Sequence, residues 1–232
     1  MINYREFRLN KLSTPEFSHL WLLLFWPIYG IAFQLLERCM KADFTPIWCA
    51  WDDMIPFCEW FVIPYYLWFV YLAGMVLYGV LFDLKTFRTY MQFIILTYSI
   101  TLIIYLIFPN SQELRPVEFA RDNWMVDVVR GLYAFDTNTN VCPSLHVIGS
   151  TAVLLASWKS IHFRKPAWRI FFLITTTLIS VSTVMLKQHS VIDIFVGYLV
   201  CAVAYPFVYC GNVRKWIGNH LVTSKIKRNE SV

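Results

Sequence analysis

YMQFIILTYSITLIIYLIF, residues 90–108, runs for 19 residues without one charged side chain. A helix rises ~1.5 Å per residue, so such a stretch reaches across most of the ~30 Å hydrocarbon layer of a bilayer. Five more apolar blocks flank it, at residues 17–36, 55–82, 144–158, 168–186 and 190–210. The block at 144–158 is short for a membrane span. Together they predict an all-α, polytopic membrane protein: a six-transmembrane-helix bundle built as a single domain over residues 1–232. Composition agrees, because 58% of the 232 residues are hydrophobic and only 15% are charged, too few charges to dress a water-soluble surface. Mean hydropathy is +0.51. Pro56 suits the first turn of the second helix, whereas Pro64 lies deeper and predicts a kink. Arg5, Arg8 and Lys11 precede a block too long and aromatic for a cleavable signal core.

Six spans put both termini, the second loop and the fourth loop on one side. Those segments carry 14 Lys and Arg against 4 Asp and Glu, while the opposite side carries 6 against 11. The positive-inside rule then makes both termini cytoplasmic. The overall formal charge of +5 follows from this topology and from anionic lipid headgroups, so no nucleic-acid partner is expected. Residues 1–15 are expected along the inner membrane surface, and the basic, polar tail after residue 212 is expected to fray beyond Leu221. Cys39, Cys49, Cys58 and Cys142 fall on or near the outer side, where a disulfide is chemically allowed but spacing cannot pair them. Cys201 and Cys210 read as small apolar residues of the last span.

Two outer segments, residues 37–54 and 109–143, are too long to be mere connections. The second is expected to form an ordered lid, with WMVDVVRGLY at residues 124–133 as a short helix. Three polar clusters sit at the outer ends of the spans: Arg115-Pro116, then Cys142-Pro143-Ser144-Leu145-His146, then Lys187-Gln188-His189-Ser190-Val191-Ile192-Asp193. Ionisable groups at the membrane edge are costly unless paired or used. His189 and Asp193 are four residues apart at a helix start and so share a face. A carboxylate there can take the proton of one imidazole nitrogen and leave the other nucleophilic. Ser144 lies beside the free N–H groups of a helix start, a ready seat for phosphate. His146, one turn in, suits a general acid, with its reference pKa of ~6.5. Arg115 is the natural two-pronged phosphate clamp, Lys187 a second cation, and Arg121 and Arg130 weaker ones. Each cluster alone also has a bland reading as a snorkelling cation or a capped helix start. His19, His162 and His220 fall on the inner half and read as bystanders.

In this order the residues resemble the type-2 phosphatidic acid phosphatase superfamily of lipid phosphatases and phosphotransferases. Its signatures are Lys, six residues, Arg-Pro; then Pro-Ser-Gly-His; then Ser-Arg, five residues, His, three residues, Asp. Arg115-Pro116 matches the end of the first, and Pro143-Ser144-Leu145-His146 the second, with Leu145 in place of glycine. Ser182, His189 and Asp193 match the third. The resemblance spans residues 57–205. Phe108 stands where the family has the first lysine, and Thr183 where it has the third-signature arginine. This thinner clamp is more similar to the inositol phosphorylceramide synthase branch.

The resemblance implies that His189, oriented by Asp193, forms a phosphohistidine. It implies that His146 shuttles the proton, while Arg115, Ser144, Leu145 and Lys187 surround the phosphate. It also implies an active site on the extracytoplasmic face and a lipid phosphate or phospholipid substrate, without cofactor or metal. The compact bundle resembles bacterial members, which implies a bacterial plasma membrane. Water as second acceptor gives a phosphatase, the leading expectation because water is always available, and a lipid alcohol gives a headgroup phosphotransferase as the alternative. A non-catalytic membrane protein is the third reading.

Overall fold

The computed structural model describes residues 4, 8–40 and 43–211. The tail from 212 onward, with His220, and most of the first seven residues lie outside the described residues, as do the surface placement and fraying expected of them. The chain is mostly helical. A 3-10 turn at Ser18–Leu24 runs into α1 (Phe25–Cys39), followed by α2 (Ala50–Met54), α3 (Val62–Phe82), α4 (Leu84–Ile107), α5 (Trp124–Phe135), α6 (Leu145–Lys159), α7 (Pro166–Met185) and α8 (Val191–Tyr209). Among the described residues, five helices are long and apolar enough to cross a membrane: Ser18–Cys39, Glu59–Phe82, Leu84–Ile107, Pro166–Met185 and Val191–Tyr209.

The short fourth block becomes α6, whose 15 residues rise only ~22 Å. It lies at the centre, packed on α3, α4, α7 and α8, and runs from the end where Ser144 meets Asp193 to the end where Ser160 meets Asp83. Small residues permit this: Gly149, Ser150, Thr151, Ala152, Ala156 and Ser157 are all buried. The outward faces of α3, α7 and α8 are apolar, with Phe69, Val70, Phe171, Ile174, Phe195 and Leu199 all exposed. Such faces suit a bundle solvated by lipid chains.

The second block needs correcting at its start. Residues 55–58 are not helical, and a 3-10 turn at Glu59–Phe61 leads into α3. Pro56 therefore precedes the helix, and Pro64 is its third residue. A proline there costs no intrahelical hydrogen bond, because first-turn N–H groups have no partner in any case. At the opposite end of the bundle, Asp83 caps α4 by accepting from Thr86 N at 3.0 Å and also accepts from Ser160 Oγ at 2.8 Å. Tyr78 joins Ser160 to His162 there, at 2.8 and 2.5 Å.

At the end that carries the three polar clusters, the two long segments pair with each other. β1 (Thr45–Pro46) lies parallel to β2 (Asn110–Ser111), with Thr45 opposite Asn110. The expected helix within the second segment is present as α5. Met125, Val126, Val129 and Leu132 recur at helical spacing and are buried. Met125, Val129 and Leu132 pack in a cluster with Val62, Tyr65 and Leu186.

Gly149 marks the tightest approach in the core. A methyl group there would stand 2.7 Å from Tyr98 Oη, 2.8 Å from Trp68 Nε1 and 3.0 Å from Leu72 Cδ2. Gly149→Ala gains ~1 kcal/mol of helix propensity but overpacks three side chains, which costs ~1–3 kcal/mol. The variant is expected to melt earlier than wild type in detergent, read by circular dichroism. A midpoint at or above wild type would show that α3 and α4 yield easily.

Candidate active site

The sequence brings His189 to the site through a tight corner. After α7 ends, Lys187 takes a positive φ of 54°, and the N–H groups of Gln188 and His189 both return to Thr183 O, at 2.9 and 3.1 Å. Ser190 then caps α8, its Oγ accepting from Ile192 N at 3.2 Å. Asp193 completes a capping box by accepting Ser190 N on Oδ2 at 3.0 Å. That same Oδ2 lies 3.1 Å from His189 Nδ1. Asp193 is fully buried and His189 is 8% exposed. A buried carboxylate at Nδ1 favours the tautomer that carries its proton there, the arrangement in which Nε2 has its lone pair free.

His146 arrives from α6. Its ring centroid is 5.9 Å from that of His189, and it too is 8% exposed. The start of α6 is docked on α8, with Ser144 N donating to Asp193 O at 3.2 Å. Asn110 shapes the approach: its Oδ1 accepts Val141 N and Cys142 N at 2.9 and 2.8 Å, while its Nδ2 donates to Cys142 O at 2.9 Å. Tyr105 donates to Pro143 O at 2.6 Å. Ser144 Oγ is buried at this helix start without a hydrogen-bond partner. The four residues His146, His189, Asp193 and Ser144 are therefore gathered as expected. Leu145 is the first residue of α6 and packs against the core.

The two expected cations are committed elsewhere. Arg115 Nη2 donates to the carbonyls of Asp136 and Thr137, both at 2.9 Å, and Nη1 to Tyr133 O at 3.1 Å. Nε and Nη2 share Gln188 Oε1, and the guanidinium lies 4.6 Å above the Tyr133 ring. Burial draws the Arg115 pKa down, opposed by nearby Asp136. Lys187 Nζ donates to Asp52 O and Ile55 O at 2.6 and 2.5 Å, at the end of α2. Burial likewise lowers the Lys187 pKa, opposed by Asp52 and Asp53. Arg121 pairs with buried Glu59 at 3.1 Å, and Arg130 with Asp122 and Asp127, so neither faces the histidines. Phe108 is largely exposed, and buried Thr183 serves through its carbonyl.

Three acids that the sequence reading gave no role prove central. Asp52 accepts Val191 N, Ser190 Oγ and Cys49 N, at 2.8, 2.6 and 2.8 Å, and so holds the outer segment against α8. Glu37 accepts from Thr137, Thr139 and Asn140 and tethers the lid to α1. Asp136 accepts from Tyr65 Oη at 2.9 Å and lies near His189; burial pushes its carboxyl up in pKa. Only a carboxylate next to a helix start could have hinted at Asp52.

All six cysteines are free thiols. Among the described residues, no group of three or more His, Cys, Asp or Glu side chains could hold a metal ion. Cavities of about 230 and 250 Å³ lie beside Trp51 and Phe195, and beside Glu59 and Phe119, away from the histidine pair. Both histidines are buried, and Asp136 of the second outer segment lies near enough to His189 to interact electrostatically. No protein-family model, curated protein or solved structure matches the chain.

Arg115 makes the lid a latched element. Arg115→Lys keeps the charge but cannot reach three carbonyls and Gln188 together. Hydrogen–deuterium exchange over residues 133–140 is expected to speed about tenfold or more, since each charge-assisted bond contributes ~1.5–3 kcal/mol. Unchanged protection there would show that Glu37 holds the lid alone.

Proposed function

We propose that the chain crosses the membrane six times with both termini cytoplasmic. We further propose that it is an enzyme acting on a phosphate-bearing lipid at the extracytoplasmic face, through a phosphohistidine on His189. The observation that carries this is the pairing of His189 with buried Asp193 at 3.1 Å, facing a second imidazole 5.9 Å away. The charge asymmetry of the loops supports the orientation. The resemblance of Arg115-Pro116, Pro143–His146 and Ser182/His189/Asp193 to the lipid phosphatase signatures supports the chemistry.

In the first step, His189 Nε2 attacks phosphorus and the bond to the leaving lipid oxygen breaks as His146 protonates that oxygen. In the second, His146 removes a proton from the acceptor hydroxyl, whose oxygen takes the phosphoryl group as the bond to His189 breaks. Ser144 and the N–H groups of α6 are placed to receive the charge on the phosphoryl oxygens. Each histidine thus returns to its starting state.

Water or a lipid alcohol completes the cycle, giving a phosphatase or a phosphotransferase. Tyr65 and Trp68 pack on His146, with ring centroids 4.1 and 4.4 Å away. Aromatic, water-poor surroundings favour a lipid alcohol, so headgroup transfer is the reading these contacts support, with hydrolysis as the alternative.

Purified protein should be given a panel of phospholipids and lipid phosphates, with and without diacylglycerol or ceramide. A new phospholipid appearing only with the alcohol is expected, while phosphate release without it would assign hydrolysis. His189→Ala should abolish either product and His146→Ala should lower it ~100-fold or more. Asp193→Asn should leave a small residual rate. Full turnover in His189→Ala would sink the scheme, and silence of the wild type would favour a binding protein.

A further inference from the structure

His189 has a carboxylate to orient it, but His146 is held differently. Its Nε2 is buried without a hydrogen-bond partner. Two rings from successive turns of α3 hold it instead: Tyr65 at 4.1 Å and 32°, and Trp68 at 4.4 Å and 40°. Tyr65 is itself 1% exposed and donates its hydroxyl to Asp136 Oδ2 at 2.9 Å. Asp136 sits where the lid folds over the site, with Gln188 Nε2 3.5 Å from the same oxygen. Its backbone carbonyl is one of those gripped by Arg115. A chain of contacts therefore runs from the latched lid through Asp136 and Tyr65 to the face of His146.

We propose that Tyr65 and Asp136 are positioning residues for His146, serving the proton donor as Asp193 serves the nucleophile. This rests on the phosphohistidine reading above. A phenol that donates to a carboxylate has a more electron-rich ring, and an electron-rich face is a better seat for an imidazolium. The stack also fixes the plane of the imidazole against the leaving oxygen. The proton passes from His146 to that oxygen as the P–O bond breaks, and Tyr65 and Asp136 neither gain nor lose one. Because Asp136 belongs to the lid, His146 is set for acid catalysis only when the lid is down.

The test uses leaving groups. The full-length protein in lipid nanodiscs carrying diacylglycerol as acceptor is assayed for alcohol release from dodecyl phosphate, whose alkoxide must be protonated as it leaves. A parallel assay uses p-nitrophenyl phosphate, whose phenolate departs unaided. Tyr65→Phe keeps the ring and loses the bond to Asp136, while Asp136→Asn keeps an acceptor and loses the charge. Both variants are expected to slow dodecyl phosphate turnover about tenfold, a fraction of the ~10²–10⁴ that a general acid supplies, and to lose far less on p-nitrophenyl phosphate. Asp193→Asn, acting through the nucleophile, should slow both esters alike. Equal losses on both esters in Tyr65→Phe and Asp136→Asn, or no loss on either, would overturn the positioning role. Wild-type silence on both would overturn the phosphohistidine reading beneath it.

Discussion

The buried carboxylate of Asp193 ties the site together. One of its oxygens serves both His189 Nδ1 and the Ser190 N–H, so a single group orients an imidazole and caps a helix. Its own backbone carbonyl receives the Ser144 N–H, which brings the start of α6 against the start of α8. Gly197, one turn further along α8, keeps that approach close: an added methyl would meet Val147 at 3.2 Å. Burying a charge is costly unless hydrogen bonds satisfy it. Asp193 offsets that cost through Oδ2 alone, its Oδ1 being buried without a hydrogen-bond partner, and the same geometry brings the two histidine rings to 5.9 Å. The site is thus a by-product of how two helix ends can be closed in an apolar setting.

The outer segments solve a related problem. Backbone groups in a long segment packed over apolar helices need partners, and strands or helices of ordinary length are not available to supply them. Here polar side chains do so. Asn110 makes four bonds to backbone groups on either side of it, and Arg115 holds three lid carbonyls. Asp52 and Lys187 lock the first segment reciprocally, each reaching the other's helix end. These contacts explain how residues 109–143 stay ordered with so little regular structure.

What could be read from the sequence follows the range of each interaction. His189 and Asp193 are four residues apart at a helix start, so helical spacing predicts their common face, while Pro143-Ser144 marks the helix start at which His146 enters. The length and placement of the apolar blocks were legible for the same reason. The partners of Asp52, Glu37 and Asp136 lie 138, 103 and 71 residues away, beyond any local pattern. Arg115 was legible as belonging to this end of the bundle, but its acceptors are carbonyls, which every residue has and no sequence pattern marks. Pro64 misled because a helix start is fixed by where the chain becomes free of the preceding turn, and Glu59–Phe61 moved that point.

Commitment of Arg115 to hydrogen bonds is not neutralisation of its charge. Its hydrogen-bond partners are three carbonyls and an amide oxygen, all uncharged. The guanidinium therefore keeps its field. Lys187 is less useful, since Asp52 and Asp53 stand close to its ammonium. Asp136 offsets part of the Arg115 field. In the proposed reading, positive potential would thus come from a cation that never needs to leave the lid, and the direct contacts would fall to Ser144 and the first N–H groups of α6. Under the proposed function, that division would let a phosphate bind although Phe108 and Thr183 stand where the resembling signatures have two cations.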